Sequence, residues 1–314
     1  MELIPIYEGG ERLFYNENLF IPSTYYEELI KVVEMNLIRF YPTPWADRLV
    51  EALSSFLNVD EGSVLPGAGA DDVLRMLISG AERVGIVEPA YSMYEHLARS
   101  MGKEVRSSVY PDIDPLAGCD LIIVNTPNNP TGLSYSRGFV EELRSIGHVV
   151  VDEAYVEFSG SEGFLRDVDE TLTVVRTFSK AWGLAGLRVG YAISSEEVVT
   201  RAKGRSLPYQ VSAPSEAMAI RALEMSDLVH ESVKEVERVR ERLTGRLRAM
   251  GFEVPDSSTN FVFIESLGRE AWERLRARGF EVRLVDRPGA RGIRITLAPW
   301  EVMDGLLEEL EVIP

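Results

Sequence analysis

Between about residues 46 and 212 the chain alternates two textures, and this alternation constrains its fold more than any other feature. Short unbroken apolar runs, "RVGIVEP", "DLIIVN", "HVVVDEAY", "TLTVVRTFS" and "GYAIS", are rich in Val and Ile and end in turn-forming or polar residues. Between several of them lie amphipathic stretches with helical spacing: "ADDVLRMLISGA", "AYSMYEHLARSMG" and "SRGFVEELRSIG". Strands that are apolar throughout need cover on both faces, and helices between them supply it. The expectation is an α/β fold, a mostly parallel sheet sandwiched by helices.

After "LPYQVSAPS" the texture changes. Residues 214–250 are almost wholly helical in pattern and end at Gly251, with arginines in the last turns as the helix dipole favours. "TNFVFIES", the helix-like "REAWERLRARG", "FEVRLV", "GIRITLA" and "EVMDGLLEEL" follow as a small α+β unit. The first 45 residues hold no complete core. A large domain is expected over 46–212, with a smaller one formed by 1–45 and 213–314.

With 314 residues, 45% of them hydrophobic, the chain can bury one large core and a second small one. A net charge of −17 disfavours nucleic acid or anionic membrane as a partner. Cys119 is the only cysteine, so an intrachain disulfide is impossible and a cytoplasmic setting is expected. "MELIPIYEGG" lacks the basic head and apolar centre of a signal peptide, and no apolar run nears the ~20 residues of a membrane span. His96, His148 and His230 are scattered, so no metal site is expected.

In an open parallel sheet, ligands sit at the carboxyl ends of the strands, and here those ends carry unusual residues. Lys180, one of five lysines against twenty-eight arginines, follows "TVVRTFS". Unlike arginine, it can lose its proton and act as a nucleophile. Thr177, Ser179 and Arg188 around it form an anion-binding inventory. "LPGAGADDVLRML" is a glycine-bearing turn opening a helix, where free N–H groups suit a phosphate. "LIIVNTPNNPTG" holds Asn129 either as a directed amide or as part of a plain turn. Asp152 of "VVVDEAY" either caps the next helix or pairs with a cationic ring nitrogen. Tyr91 offers a flat ring for stacking, whereas Tyr94 reads as core packing. A lysine and a phosphate site without metal ligands point to pyridoxal 5′-phosphate.

"NENLFIPS", "RFYP", "PNNPTG", "DEAYVEF", "RTFSKAWGLAGLRVGY", "PYQVS" and "GIRITL" occur in the order found in one family. The chain resembles the pyridoxal-phosphate enzymes of the aspartate aminotransferase fold type, class I/II, and most closely the histidinol-phosphate aminotransferases. The resemblance implies that Lys180 forms the internal Schiff base and moves the Cα proton. It further implies that Asp152 pairs with the pyridinium nitrogen, that Asn129 and Tyr155 bond the phenolic oxygen, and that Tyr91 stacks on the ring. The phosphate falls to Thr177, Ser179, Arg188 and the Gly69–Ala70–Asp71 turn, with Tyr41 reaching it from a neighbouring subunit of a homodimer. Arg294 is implied to clamp the substrate carboxylate, with Asn129 beside it. Arg283 matches a further substrate arginine, although Leu284 replaces the usual Asp and Arg287 is a rival. The implied reaction moves an amino group from histidinol phosphate or an L-amino acid to a 2-oxo acid. Threonine-phosphate decarboxylases and aromatic aminotransferases share the motif set. A nicotinamide dehydrogenase would need Gly rather than Asp72 in its fingerprint. A non-catalytic ligand-binding protein would not need the full residue set.

Overall fold

The computed structural model describes residues 10–312; the stretch inspected for a signal peptide lies, apart from Gly10, outside them. The chain opens with β1 (Glu11–Leu13), α1 (Ser23–Lys31), α2 (Met35–Arg39), α3 (Asp47–Leu57) and β2 (Val64–Gly67). The alternating region follows: α4 (Ala70–Ile78), β3 (Arg83–Glu88), α5 (Met93–Ser100), β4 (Glu104–Val109), β5 (Leu121–Asn125), α6 (Arg137–Arg144) and β6 (His148–Asp152). It closes with β7 (Leu172–Thr177), β8 (Gly190–Ile193) and α7 (Glu196–Lys203). The remainder comprises α8 (Ala213–Glu224), α9 (Ser226–Ala249), β9 (Phe261–Ile264), α10 (Arg269–Ala277), β10 (Phe280–Arg287), β11 (Ala290–Thr296) and α11 (Trp300–Glu311).

Seven strands pair in the order β2-β8-β7-β6-β5-β3-β4, and only β8 runs against the rest. The sandwiched, mostly parallel sheet is as expected, and the side-chain period of two explains its two cores. Ile122, Val124, Val149 and Val151 pack with Phe139, Val140 and Leu143 of α6 on one face. Leu121, Ile123, Val150 and Val175 meet Val73, Leu74 and Leu77 of α4 on the other. Parallel register places Asn125 beside Asp152, so the polar strand ends gather at one edge.

A second sheet has the order β1-β10-β11-β9. β1 joins it by parallel pairing with β10, Glu11 opposite Phe280, so the chain's beginning and its last third share one sheet. In the antiparallel pair β10–β11, Arg283 lies directly opposite Arg294. The helical run after residue 213 is broken once. Met225, with φ −103° and ψ 22°, separates α8 from α9.

A buried ion pair ties β7 to the segment after β6. The Arg176 guanidinium lies 2.8 Å from Glu153, which is fully buried and also accepts from the Phe164 amide. Among the described residues no helix is long and apolar enough to cross a membrane, and no group of His, Cys, Asp and Glu could hold a metal.

Candidate active site

A cavity of about 860 Å³ opens at the carboxyl ends of the parallel strands, with β10 and β11 forming part of its wall. Ala70, Asp71, Tyr91, Asn129, Asp152, Tyr155, Thr177, Ser179, Lys180, Arg188, Arg283, Arg287 and Arg294 all line it. Gly69 stands just behind, as the residue preceding α4. Tyr41 is elsewhere. It is 90% exposed beyond α2, with its ring 5.6 Å from that of Tyr209.

Lys180 sits in the loop after β7, and its Nζ donates to the Tyr15 carbonyl at 2.8 Å. Burial, helped by the nearby Arg294 charge, lowers the amine's pKa to about 8. A neutral amine is thereby brought within reach of ordinary pH. Asp152 ends β6 and is buried. Its carboxylate accepts from the Tyr94 hydroxyl at 2.6 Å and from the Ala154 amide at 3.0 Å. Asp152 does not cap the next helix, a short 3-10 turn at Val156–Phe158 preceded by Tyr155; its carboxylate closes the turn at Ala154 and lines the cavity, and Tyr94 proves to be more than core packing. Its hydroxyl is the group that holds the carboxylate.

Burial raises the Asp152 pKa from 3.8 to about 6, because these two hydrogen bonds only partly offset desolvation. A raised carboxylate pKa means a burial cost fully present above about pH 6 and absent below 3.8. Asp152→Asn is therefore expected to stabilise the ligand-free protein above that range, on the order of 3 kcal/mol. The advantage should shrink as pH falls from 6 towards 3.8, measured by denaturant titration. An unchanged or lower midpoint at neutral pH would contradict it.

Another part of the cavity wall gathers groups that could hold an anion. Gly69, at φ +85°, turns the chain into α4 so that its first amides face outward. Arg188, itself at φ +52°, places Nη1 3.3 Å from Ser179 Oγ and Nη2 3.5 Å from the Asp71 carboxylate. A Cβ at 69 would stand 2.6 Å from Arg188 Nη2, and one at 190 only 2.4 Å from the Ala70 nitrogen. Both glycines let the arginine-bearing hairpin close onto the helix start. The Thr177 hydroxyl accepts from the Ser179 amide at 3.1 Å, which fixes the turn between them. Helix amides, hydroxyls and a guanidinium on one concave wall fit a phosphate.

The asparagines of "PNNPTG" divide the work. Asn128 closes the turn, donating to the Pro89 carbonyl at 2.7 Å and accepting from Thr131 Oγ1 at 2.7 Å. Asn129 faces the cavity, where its Oδ1 accepts from Arg294 Nη1. The Arg294 Nη2 donates to the Phe14 carbonyl, and the buried Nε has no partner among the described residues. Burial lowers the Arg294 pKa to about 10; Tyr155 opposes this and Arg283 adds to it. On β10 the alternation of the pleat puts Arg283 and Arg287 on one face. Arg287 Nη1 is engaged by the Ala90 carbonyl at 2.7 Å. Arg283 is exposed and forms no ion pair among the described residues.

Asn16 has no assigned role in the sequence reading, although "NENLFIPS" is singled out. It is 1% exposed, and its Nδ2 lies 2.9 Å from the Tyr155 hydroxyl. The carbonyls of Phe14 and Tyr15, which hold Arg294 and Lys180, leave no side-chain signature to read.

Comparison with known proteins agrees with this fold. The sequence matches the family "Aminotransferase class I and II" over residues 12–310. A histidinol-phosphate aminotransferase from Thermotoga neapolitana is 34% identical over 310 residues, 95% of this chain and 92% of that protein. The structure of a histidinol-phosphate aminotransferase from Sinorhizobium meliloti in complex with pyridoxal-5′-phosphate superposes with a TM-score of 0.88. It is 24% identical and covers 97% of this chain and 90% of its own. L-threonine-O-3-phosphate decarboxylase from Porphyromonas gingivalis has a TM-score of 0.80 at 24% identity, covering 92% and 94%. By its residues, its fold and these matches, the chain belongs to the class I and II aminotransferases.

Proposed function

We propose that this enzyme is a pyridoxal-phosphate-dependent transaminase, with histidinol phosphate as its favoured donor and 2-oxoglutarate as acceptor. One observation carries the reading: Lys180, the buried Asp152 carboxylate and a phosphate-fitting wall share one cavity with the buried Arg294. The bound cofactor supplies an aldehyde and a ring that delocalises the charge developing on the donor's carbon.

The chain's own residues do the rest. The first amides of α4 with Thr177, Ser179 and Arg188 would hold the cofactor phosphate. Asp152 would face the ring nitrogen, keeping it protonated through a charge-assisted hydrogen bond. Tyr91 would lie against the ring, and Asn129 and Tyr155 would face its phenolic oxygen. Lys180 would carry the proton between the donor's Cα and the cofactor, a step worth about 10²–10⁴-fold. Arg294 would orient the anionic group next to the reacting carbon, carboxylate or phosphate ester alike. Arg283, opposite Arg294 and exposed to the cavity, would add a second cation for a phosphorylated donor.

A homodimer fits an apolar surface that one chain leaves open. Met35 is 78% exposed, Ile38 73%, Leu207 71% and Tyr41 90%. In that arrangement Tyr41 of the partner subunit would approach the phosphate. The reaction belongs to biosynthesis of amino acids in the cytoplasm. We divide the chain into a large domain over 46–212 and a smaller one from the two flanking parts.

Half-reactions followed by absorbance test the assignment. Histidinol phosphate should convert the visible band of the loaded enzyme to the near-ultraviolet band of the aminated cofactor, and 2-oxoglutarate should restore it. Carbon dioxide release from threonine phosphate with the visible band retained would move the enzyme to the decarboxylases. Conversion by phenylalanine or tyrosine but not by histidinol phosphate would make it an aromatic aminotransferase.

A further inference from the structure

Asn16 stands where three parts of the molecule meet, and its hydrogen bonds have only one consistent direction. Its backbone amide donates to Thr296 Oγ1 at 3.0 Å, and the same hydroxyl lies 3.0 Å from Asn16 Oδ1. A hydroxyl has a single proton. Having accepted from the amide, Thr296 gives that proton to Oδ1, which fixes the carboxamide with its nitrogen facing Tyr155. Asn260 Nδ2 donates to the Asn16 carbonyl at 3.0 Å, so the residue is held on both sides. Its φ of +58° is one that asparagine tolerates better than most residues.

The consequence falls on Tyr155. An amide nitrogen offers only protons, so at 2.9 Å the tyrosine oxygen must accept. Its own proton is then turned away from Asn16, and the side chain lines the cavity. A hydroxyl that accepts one hydrogen bond is polarised into a stronger donor.

We propose that Asn16 is a positioning residue that holds the Tyr155 hydroxyl with its proton directed into the cavity, where the phenolic oxygen of the cofactor belongs. The inference rests on the reading of Tyr155 given above and adds to it the group that sets the direction and strength of its hydrogen bond. A donor to the phenolic oxygen offsets negative charge there. With less charge on that oxygen, the neighbouring nitrogen at Lys180 gives up its proton at lower pH. Asp152 and Arg294 are the charged groups that act on the Tyr155 hydroxyl, and Lys180 Nζ is 5.8 Å from the ring centroid. All three stay in place in the variants below, so differences in Asn16→Gly and Tyr155→Phe report the donor.

The test is a spectrophotometric pH titration of the visible band in protein reconstituted with pyridoxal 5′-phosphate. Asn16→Gly accepts the positive φ and removes the carboxamide. Its midpoint should move up by roughly half a pH unit or more, the worth of one hydrogen bond. Tyr155→Phe should move further in the same direction, and adding Asn16→Gly to Tyr155→Phe should move it no more. A wild-type midpoint in Asn16→Gly overturns the proposal, as does an additional shift in the double variant. Failure of Tyr155→Phe to shift the midpoint instead removes the underlying reading of Tyr155. Loss of the visible band in Asn16→Gly at an unchanged melting temperature also overturns it, since the phosphate wall is untouched. If the glycine variant melts early, the isosteric Asn16→Asp takes its place. Lacking the donor and adding a negative charge, it should shift the midpoint upward more strongly; no shift refutes the role.

Discussion

Lys180→Ala is expected to cost the enzyme at least about 10²–10⁴ in kcat, the share of a positioned proton carrier, with loss of the covalent anchorage on top. The purified variant should lack the visible band of the wild type. Lys180→Arg is the sharper control, because it keeps the positive charge but cannot deprotonate. It should be as inactive as the alanine variant, and turnover above a hundredth of the wild-type rate (roughly the lower bound of that effect) would exclude Lys180 as the proton carrier. The same substitution has a stability signature. An amine whose pKa falls from 10.5 to about 8 on folding destabilises the ligand-free protein fully below pH 8. That cost is relieved as pH rises from about 8 to 10.5, so Lys180→Ala should gain most below this window and least above it.

Arg294→Ala should lower kcat/KM for the 2-oxo acid by roughly 10²–10³-fold, the range for removing one partner of a buried charge-assisted pair. The effect should appear chiefly in KM, since the guanidinium orients an anion and touches no proton in flight. Arg294→Lys keeps the charge without the planar fork and should recover little. The measurement is steady-state kinetics with the acceptor varied at saturating donor, and an unaltered KM would remove Arg294 from the binding site. Arg283→Ala is the informative comparison. Being exposed and opposite Arg294, it should affect a phosphorylated donor more than the acceptor.

The strands that surround the site were legible because burial on both sides leaves an unmistakable composition. β5, "LIIVN", and β7, "LTVVRT", are buried along their whole length. β4, "EVRSSV", escaped notice for the opposite reason. It lies at the sheet edge, with Glu104 and Val109 exposed, and charged or hydroxylated residues suit an unpaired edge. β2, "VLPG", is four residues long and contains a proline, which weakens any strand signal. β1 has only three residues, and its partner Phe280–Val282 lies far along the chain, beyond the reach of local patterning. In the site, residues whose chemistry is rare at a strand end announced themselves, Lys180 and Asp152 above all. Tyr94 and Asn16 did not, because each acts on another side chain, and side-chain partners depend on the assembled fold. That Tyr94 does more than pack is recognisable only once its hydroxyl is seen 2.6 Å from Asp152.

Two of the cavity's cationic side chains rest on neighbouring peptide carbonyls, Arg294 on Phe14 and Lys180 on Tyr15. Main-chain oxygens are supplied by any amino acid, so these two contacts do not depend on the chemistry of the side chains at 14 and 15. A neutral carbonyl also makes a threshold rather than a lock. At Arg294 an incoming molecule displaces it best by offering a full negative charge in return, and uncharged metabolites of similar shape gain little by the exchange.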